Sequence, residues 1–465
     1  MENLPGKTNT RIVQGGTSLS GRMRRNLMEK ISRLPLCCTT AGLIWLPDRE
    51  EPIEKREVSD VKIPMKAIAI LLAFLLAAGT AGSAAAETRL MVVSDLHYLD
   101  PSLYQGSGLF LQALRQGDGK ITQYGEELLS ALYQEILQEK PDALVVTGDL
   151  TFNGEKASHL ALAGWFGTVE GAGVPVWILP GNHDINTANP VGFAGNAYYR
   201  TENVTPEEFA SIYADFMAPE GAGFSYAAKI SNTLWIAMTD VAWYQDQAQT
   251  FGWFSEGHAS WLEDALKSAR EAGAQVVTAS HHSLLPHTEF SRDNFLMLSG
   301  EKMAALARQY GVRLHLSGHL HIQHIAREGN LADAALGAFC IWPHRYAVVT
   351  LLDDGGLVYD SRALGGQFLP EGFLETSREW FQGITREKAL ASLNGTDEET
   401  GLMADYAARF NLAYFSGTYR REDPSWTEDP AYALWESHPE SGFRAYMKLV
   451  MNENTGDNLH WEWNP

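Results

Sequence analysis

From Arg89 onward the sequence predicts a domain that alternates buried β-strands with α-helices. Short apolar runs recur between longer stretches of helical spacing. Five of those runs end in the same kind of residue. The composition is that of an ordinary globular chain, 45% hydrophobic, 20% charged and 11% aromatic over 465 residues, enough to bury a substantial core.

The five runs carry the argument. Leu90-Met-Val-Val-Ser94 leads into Asp95 and His97, and Ala143-Leu-Val-Val-Thr147 into Gly148-Asp149. Val174-Pro-Val-Trp-Ile-Leu179 leads into Gly181-Asn182-His183-Asp184, and Gln275-Val-Val-Thr-Ala-Ser280 into His281-His282. Arg313-Leu-His-Leu-Ser317 leads into Gly318-His319-Leu320-His321. Each run delivers oxygen or imidazole ligands at its C-terminal end, where open α/β sheets gather their sites. Gly148, Gly181 and Gly318 stand where a strand must turn sharply. A lone Asp-x-His or histidine pair is usually a surface feature, but five such tips in one chain point to convergence on metal. Carboxylate, amide and imidazole donors together suit manganese, iron or zinc better than magnesium.

Taken in order, Asp95-x-His97, Gly148-Asp149, Gly181-Asn182-His183-Asp184, His281 and Gly318-His319-x-His321 resemble the calcineurin-like metallophosphoesterase superfamily, over roughly Arg89 to Ala363. The resemblance implies an α+β fold, a four-layer αββα sandwich with a dinuclear site at one edge. It implies that Asp95, His97 and His321 hold one metal, that Asn182, His281 and His319 hold the other, and that Asp149 bridges them. His282 is the second choice in its pair. Two cations about 4 Å apart would lower the pKa of a bridging water, which then attacks the phosphorus in line. His183 stays free to protonate the leaving oxygen or to steady the transition state. Asp184 either orients His183 or caps a following helix.

Protein phosphatases of this superfamily read Gly-Asp-x-x-Asp-Arg-Gly in the second block, where this chain has Phe152 and Asn153. That departure speaks against a protein substrate, and the short Gly-Asp-Leu-Thr version looks more like the bacterial cyclic-nucleotide phosphodiesterase branch. Asn153 either donates to substrate phosphate or serves a plain turn. The expected activity is hydrolysis of a phosphodiester, with a phosphomonoesterase (nucleotidase), a lipid phosphodiesterase or a non-catalytic metal-containing binding protein as alternatives.

Flanking segments complete the reading. Met65 to Glu87 has a lysine, an apolar run from Ala67 to Ala78 and the small residues Ala84-Ala85-Ala86, the pattern of a secretory signal peptide. The run falls short of the roughly 20 residues a membrane span needs. Residues 65–86 are therefore expected to be a signal peptide, and residues 1–64 an upstream, disordered extension, with a cytoplasmic tail on a signal anchor as the alternative. Export predicts a secreted or periplasmic enzyme without a stable membrane anchor. With residues 1–86 removed, 24 basic residues face 49 acidic ones, a field that repels nucleic acid but not a small phosphoester. Cys340 would then be the sole cysteine of the three, which excludes an internal disulfide.

The phosphoesterase domain is expected over 87–363 with an insert at about 186–255. Its aromatics (Tyr198, Tyr199, Tyr213, Phe216, Trp243, Tyr244, Trp253, Phe254) either flank the substrate or form the insert's own core, and Arg200 is a candidate phosphate clamp. Residues 364–465 read as a small α-helical C-terminal module, with Trp435, Trp461 and Trp463 in its core or on its surface.

Overall fold

A buried strand in a sheet covered on both faces must be apolar at every position, because successive side chains face opposite layers. The computed structural model describes residues 87–104, 107–218, 221–288, 295–393, 397–453 and 456–465, and the segments expected as extension and signal peptide lie outside these. The strands are β1 (Thr88–Val93), β2 (Ala143–Val146), β3 (Val176–Ile178), β4 (Val191–Ala194), β5 (Ala197–Arg200), β6 (Gly221–Ala222), β7 (Ser225–Lys229), β8 (Leu234–Met238), β9 (Gly252–Trp253), β10 (Gln275–Ala279), β11 (Met297–Leu298), β12 (Leu314–Ser317), β13 (His324–Glu328), β14 (Leu331–Ala335), β15 (Arg345–Leu351), β16 (Leu357–Ala363) and β17 (His460–Trp463). Six form one sheet in the order β17-β16-β15-β1-β2-β3, and seven form a second in the order β13-β14-β12-β10-β8-β7-β6.

The helices are α1 (Gly108–Gln116), α2 (Gly125–Glu139), α3 (Lys156–Gly171), α4 (Pro206–Ile212), α5 (Glu256–Glu271), α6 (Gly300–Gln309), α7 (Phe373–Leu393), α8 (Glu398–Phe415), α9 (Ser425–Glu428), α10 (Pro430–Glu436) and α11 (Gly442–Asn452). Leu90 and Val92 of β1, with Ala143 and Val145 of β2, meet Ile236, Val277, Leu314 and Leu316 of the other sheet in the central layer. The alternate residues Met91, Val93, Leu144 and Val146 turn the other way onto Leu132 and Ile136 of α2 and Phe166 of α3. Beyond the second sheet, Leu262 and Leu266 of α5 pack with Met303 and Ala307 of α6. Each of the Val, Leu, Ile, Met and Phe side chains among them, taken fully out of water, contributes about 1.5–3 kcal/mol. The result is the αββα sandwich.

Parallel pairing sets the site. β1, β2 and β3 are parallel neighbours, and β10 and β12 are parallel neighbours in the facing sheet. All five strands that precede candidate ligands therefore end in loops at one edge of the sandwich.

Two boundaries differ from the sequence reading. The supposed insert at 186–255 contains β6, β7 and β8 of the second sheet, so the added material is split into the β4–β5 hairpin with α4 before them and the loop through β9 after them. Leu234–Met238 is a fully buried apolar run that leads into no imidazole, so it escaped the pattern of strand tips. The C-terminal module is not wholly helical either: β17 pairs antiparallel with β16, with Leu357 opposite Trp463 and Tyr359 opposite Trp461. Trp461 packs on the central core, Trp463 lies under the Arg313 guanidinium, and Trp435 is fully buried among Met403, Tyr406 and Phe410.

Candidate metal centre

Five of the seven expected ligand residues have left-handed backbones: Asp95 (φ 55°), His97 (φ 41°), Asp149 (φ 48°), His319 (φ 67°) and His321 (φ 59°). Outside glycine that conformation costs of order 1 kcal/mol or more and persists only where the surroundings impose it. Here they do, through hydrogen bonds from loop to loop. Asp95 N donates to Gly148 O (3.1 Å), His97 N to Asp149 O (3.0 Å), Gly318 N to His281 O (2.9 Å) and Phe339 N to Ser94 O (3.0 Å). Gly181 is needed for closeness: a Cβ there would stand 2.2 Å from Asp149 Oδ1 and 2.3 Å from Asp149 N.

These loops bring the side chains into two groups that share Asp149. Asp95, His97, Asp149 and His321 each offer a ligand atom, all within 4.8 Å of one another, and Asp149, His281 and His319 do the same. Asn182 Oδ1 lies 3.2 Å from His281 Nε2. His97 Nε2 and His321 Nε2 are 3.0 Å apart, with Asp149 Oδ2 3.6 Å from His97 Nε2 and Asp149 Oδ1 3.3 Å from His281 Nε2. All seven sequence-derived ligand candidates thus meet. His282 instead directs its Nε2 to the Thr250 carbonyl (2.9 Å), with its ring tilted against His319 at 4.4 Å.

The donor chemistry fits two divalent ions. His319 Nε2 is buried without a hydrogen-bond partner, a state that costs about 1–3 kcal/mol unless something else binds there. His281 Nδ1 is 2.9 Å from the Thr147 carbonyl, to which it donates, so that Nε2 is the ring nitrogen that faces Asp149 and would bind an ion. Burial alone would raise Asp149, but His281, His183 and His97 outweigh it and hold the carboxyl well below its ordinary range. Burial likewise lowers His97 and His319, whereas for His281 the Asp149 carboxylate overcomes burial and raises the imidazole to about 9.

His183 is placed beside this group, not within it. Its backbone N–H donates to Asp149 Oδ1 (2.8 Å), and its ring meets His97 edge to face at 4.9 Å. Nδ1 is 2.8 Å from the Phe152 carbonyl and 2.9 Å from Asn153 Oδ1. A carbonyl only accepts, so Nδ1 carries the proton and Nε2 is left to exchange one. Asn153 thereby touches His183, and the partner expected of Asp184 is supplied by Phe152 and Asn153. The Asp184 carboxylate instead accepts from Leu150 N (3.1 Å), Thr151 N (2.9 Å) and Gly181 N (2.7 Å), bracing two of the ligand loops. No α-helix follows it to be capped. Burial, then the Asp149 charge, pushes Asp184 up to about 7.

Arg200 donates to the Ala188 carbonyl within its own hairpin segment. Of the insert aromatics, Tyr213 and Phe216 are buried in the helix-side core, while Tyr198 and Tyr199 are 71% and 43% exposed.

Two polar residues of the site went unread in the sequence. Asp118 accepts a short hydrogen bond at His321 Nδ1, and Lys120 Nζ reaches the same carboxylate at 3.0 and 3.2 Å. They sit in a Gly117-Asp-Gly-Lys120 turn that follows a helix, not a strand. Lys120 and His321 outweigh burial and hold Asp118 well below its ordinary range, while Asp118 raises Lys120.

Comparison with known proteins agrees with this geometry. Residues 88–323 match the calcineurin-like phosphoesterase family, and residues 371–457 match the C-terminal domain of cyclic nucleotide phosphodiesterase. No curated protein matches the sequence. Similar solved structures include a dimetal phosphatase from Danio rerio (15% identity, TM-score 0.43, 60% of this chain and 96% of that one). Others are a purple acid phosphatase from yellow lupin, Lupinus luteus (14%, 0.42, 60% and 52%), and a putative 5'-nucleotidase from Staphylococcus aureus (13%, 0.36, 66% and 59%). With just over half of its length matched at 88–323, the chain belongs to the calcineurin-like phosphoesterase family and is a metal-dependent phosphoester hydrolase.

Proposed function

We propose that the protein is an exported phosphodiesterase that hydrolyses a small, cyclic-nucleotide-like phosphodiester with two ions drawn from manganese, iron or zinc. The observation that carries the phosphodiester preference is the match of residues 371–457 to a domain named for cyclic nucleotide phosphodiesterases. In this reading Asp95, His97 and His321 hold one ion, Asn182, His281 and His319 the other, and Asp149 both. When bound, the ions supply the Lewis acidity that activates water and neutralises phosphoryl charge. The chain's own part falls to His183. Its Nδ1–H is fixed on the Phe152 carbonyl, so Nε2 is the ring nitrogen that takes up a proton and passes it to the leaving oxygen. Export rests on the signal pattern of residues 65–86.

The test is hydrolysis of bis-p-nitrophenyl phosphate, p-nitrophenyl phosphate and cyclic AMP with added Mn²⁺. The diesters are expected to turn over faster than the monoester, and Asp149→Ala to lose more than about 100-fold on each, beyond the effect of removing an outer-sphere partner. Faster turnover of the monoester would overturn the diester preference and favour a nucleotidase. For export, the N-terminus of the mature protein is expected near Glu87.

A further inference from the structure

We propose that the C-terminal helical module is a structural part of the metal centre, and that it sets how tightly the Asp95–His97–His321 half holds its ion. The inference rests on the two-metal reading above. It begins with His321, whose backbone is left-handed and whose ring has an acidic partner.

From behind, the His321 loop is built into the module. Ile322 is buried in the module's own hydrophobic core with Met403 and Phe410, and Leu320 packs against the same cluster. Gln323 N donates to the Phe415 carbonyl at the end of α8 (3.0 Å). The two side chains that flank His321 therefore sit among residues of α8 and its neighbours.

From the side, the carboxylate that meets His321 Nδ1 belongs to Asp118, on a turn that α7 holds. Trp380 Nε1 donates to the Lys120 carbonyl (3.1 Å), and Lys388 Nζ to the Gly117 carbonyl (2.6 Å). Gly119, at φ 109°, lies so close to Phe381 that a Cβ would stand 2.4 Å from its ring. Lys120 Nζ pairs with Asp118 at 3.0 Å. A carboxylate on the far nitrogen of a metal-binding imidazole fixes the tautomer, orients the ring and raises its basicity. Among the described residues no carboxylate supports the other half in this way: His281 leans on the Thr147 carbonyl, within the catalytic domain. Asp118 and Trp380 are thus positioning residues that act through His321.

The experiment is titration of the metal-free full chain with Mn²⁺ by calorimetry, alongside the urea midpoint of each variant. The wild type is expected to bind two ions. Asp118→Asn is expected to weaken one of the two by about 10- to 100-fold and to leave the other unchanged. Trp380→Phe keeps the aromatic bulk but removes the donor to Lys120, and should weaken the same ion on the order of fivefold, the value of one neutral hydrogen bond. Trp435→Phe removes a comparable indole bond deep in the module, to the Met403 carbonyl, and should lower the urea midpoint without moving either affinity. Wild-type affinities in both Asp118→Asn and Trp380→Phe would overturn the proposal, as would equal weakening of both ions or an effect of Trp435→Phe as large as that of Trp380→Phe. A wild type that binds fewer than two ions would instead sink the two-metal reading, and this proposal with it.

Discussion

The two halves of the metal centre are alike in donors and unlike in support. His281 rests its Nδ1 on a backbone carbonyl at the tip of β2, while His321 rests its Nδ1 on the carboxylate of Asp118. The carbonyl belongs to a strand that the sandwich cannot move without losing its core. The carboxylate sits on a turn held by a helix that begins more than 250 residues later in the chain. Support from a main chain is insensitive to side-chain substitution, whereas support from a side chain is adjustable and can be lost singly. The difference teaches that a symmetric-looking ligand set need not hold its two ions with equal robustness.

The most severe way to break the comparison is to remove what both halves share. Asp149→Ala takes one oxygen from each group, and both Mn²⁺ affinities are expected to collapse together with activity. His183→Asn should spare both halves and strike only the chemistry. Two bound ions and about a 10²- to 10⁴-fold loss of kcat are expected, read by calorimetry and initial rates on bis-p-nitrophenyl phosphate. If the His183 variant lost its metals, the residue would belong to the ligand set, contrary to its placement on Phe152 and Asn153.

What the sequence disclosed follows the same division. All seven ligand candidates were legible because each follows a strand whose apolar run marks its own end, and parallel pairing of β1–β3 and of β10 with β12 carries those ends to one edge. Asp118 and Lys120 were not legible, since a Gly-Asp-Gly-Lys turn after a helix has the composition of any surface turn, and only packing against Trp380 and Phe381 gives it a place. The role expected of Asp184 went astray for a related reason. Adjacency in sequence suggested a partner for His183, but the carboxylate turns to backbone N–H groups of its own loop and of the loop after β2. β17 was missed because His460-Trp-Glu-Trp463 follows a stretch of helical spacing, although its period of two becomes meaningful once β16 offers an unpaired edge.

Smaller perturbations sharpen the contrast. Gly181→Ala would press a methyl group onto Asp149, 2.2 Å from its Oδ1. Overpacking of this kind typically costs about 1–3 kcal/mol, and the urea midpoint should fall by the corresponding amount. Because Asp149 serves both groups, the two affinities should weaken in parallel, unlike the one-sided loss expected from Asp118→Asn.

The smallest effect is expected at Arg115, on α1 just before the turn. Its guanidinium lies over the Trp380 ring at 4.8 Å and pairs with Glu387 at 3.1 Å, so by position it links the module to the catalytic domain. Both ionic partners are about half exposed, however, and such pairs contribute only about 0.2–1 kcal/mol, screened further by salt. Arg115 also touches neither the Lys120 carbonyl nor Asp118. Arg115→Ala should therefore lower the urea midpoint slightly, by an amount that shrinks in high salt, and leave both Mn²⁺ affinities at their wild-type values. A one-sided loss of affinity in this variant, as large as that of Trp380→Phe, would mean that the module acts through its surface charge and not through the hydrogen bond that fixes the turn.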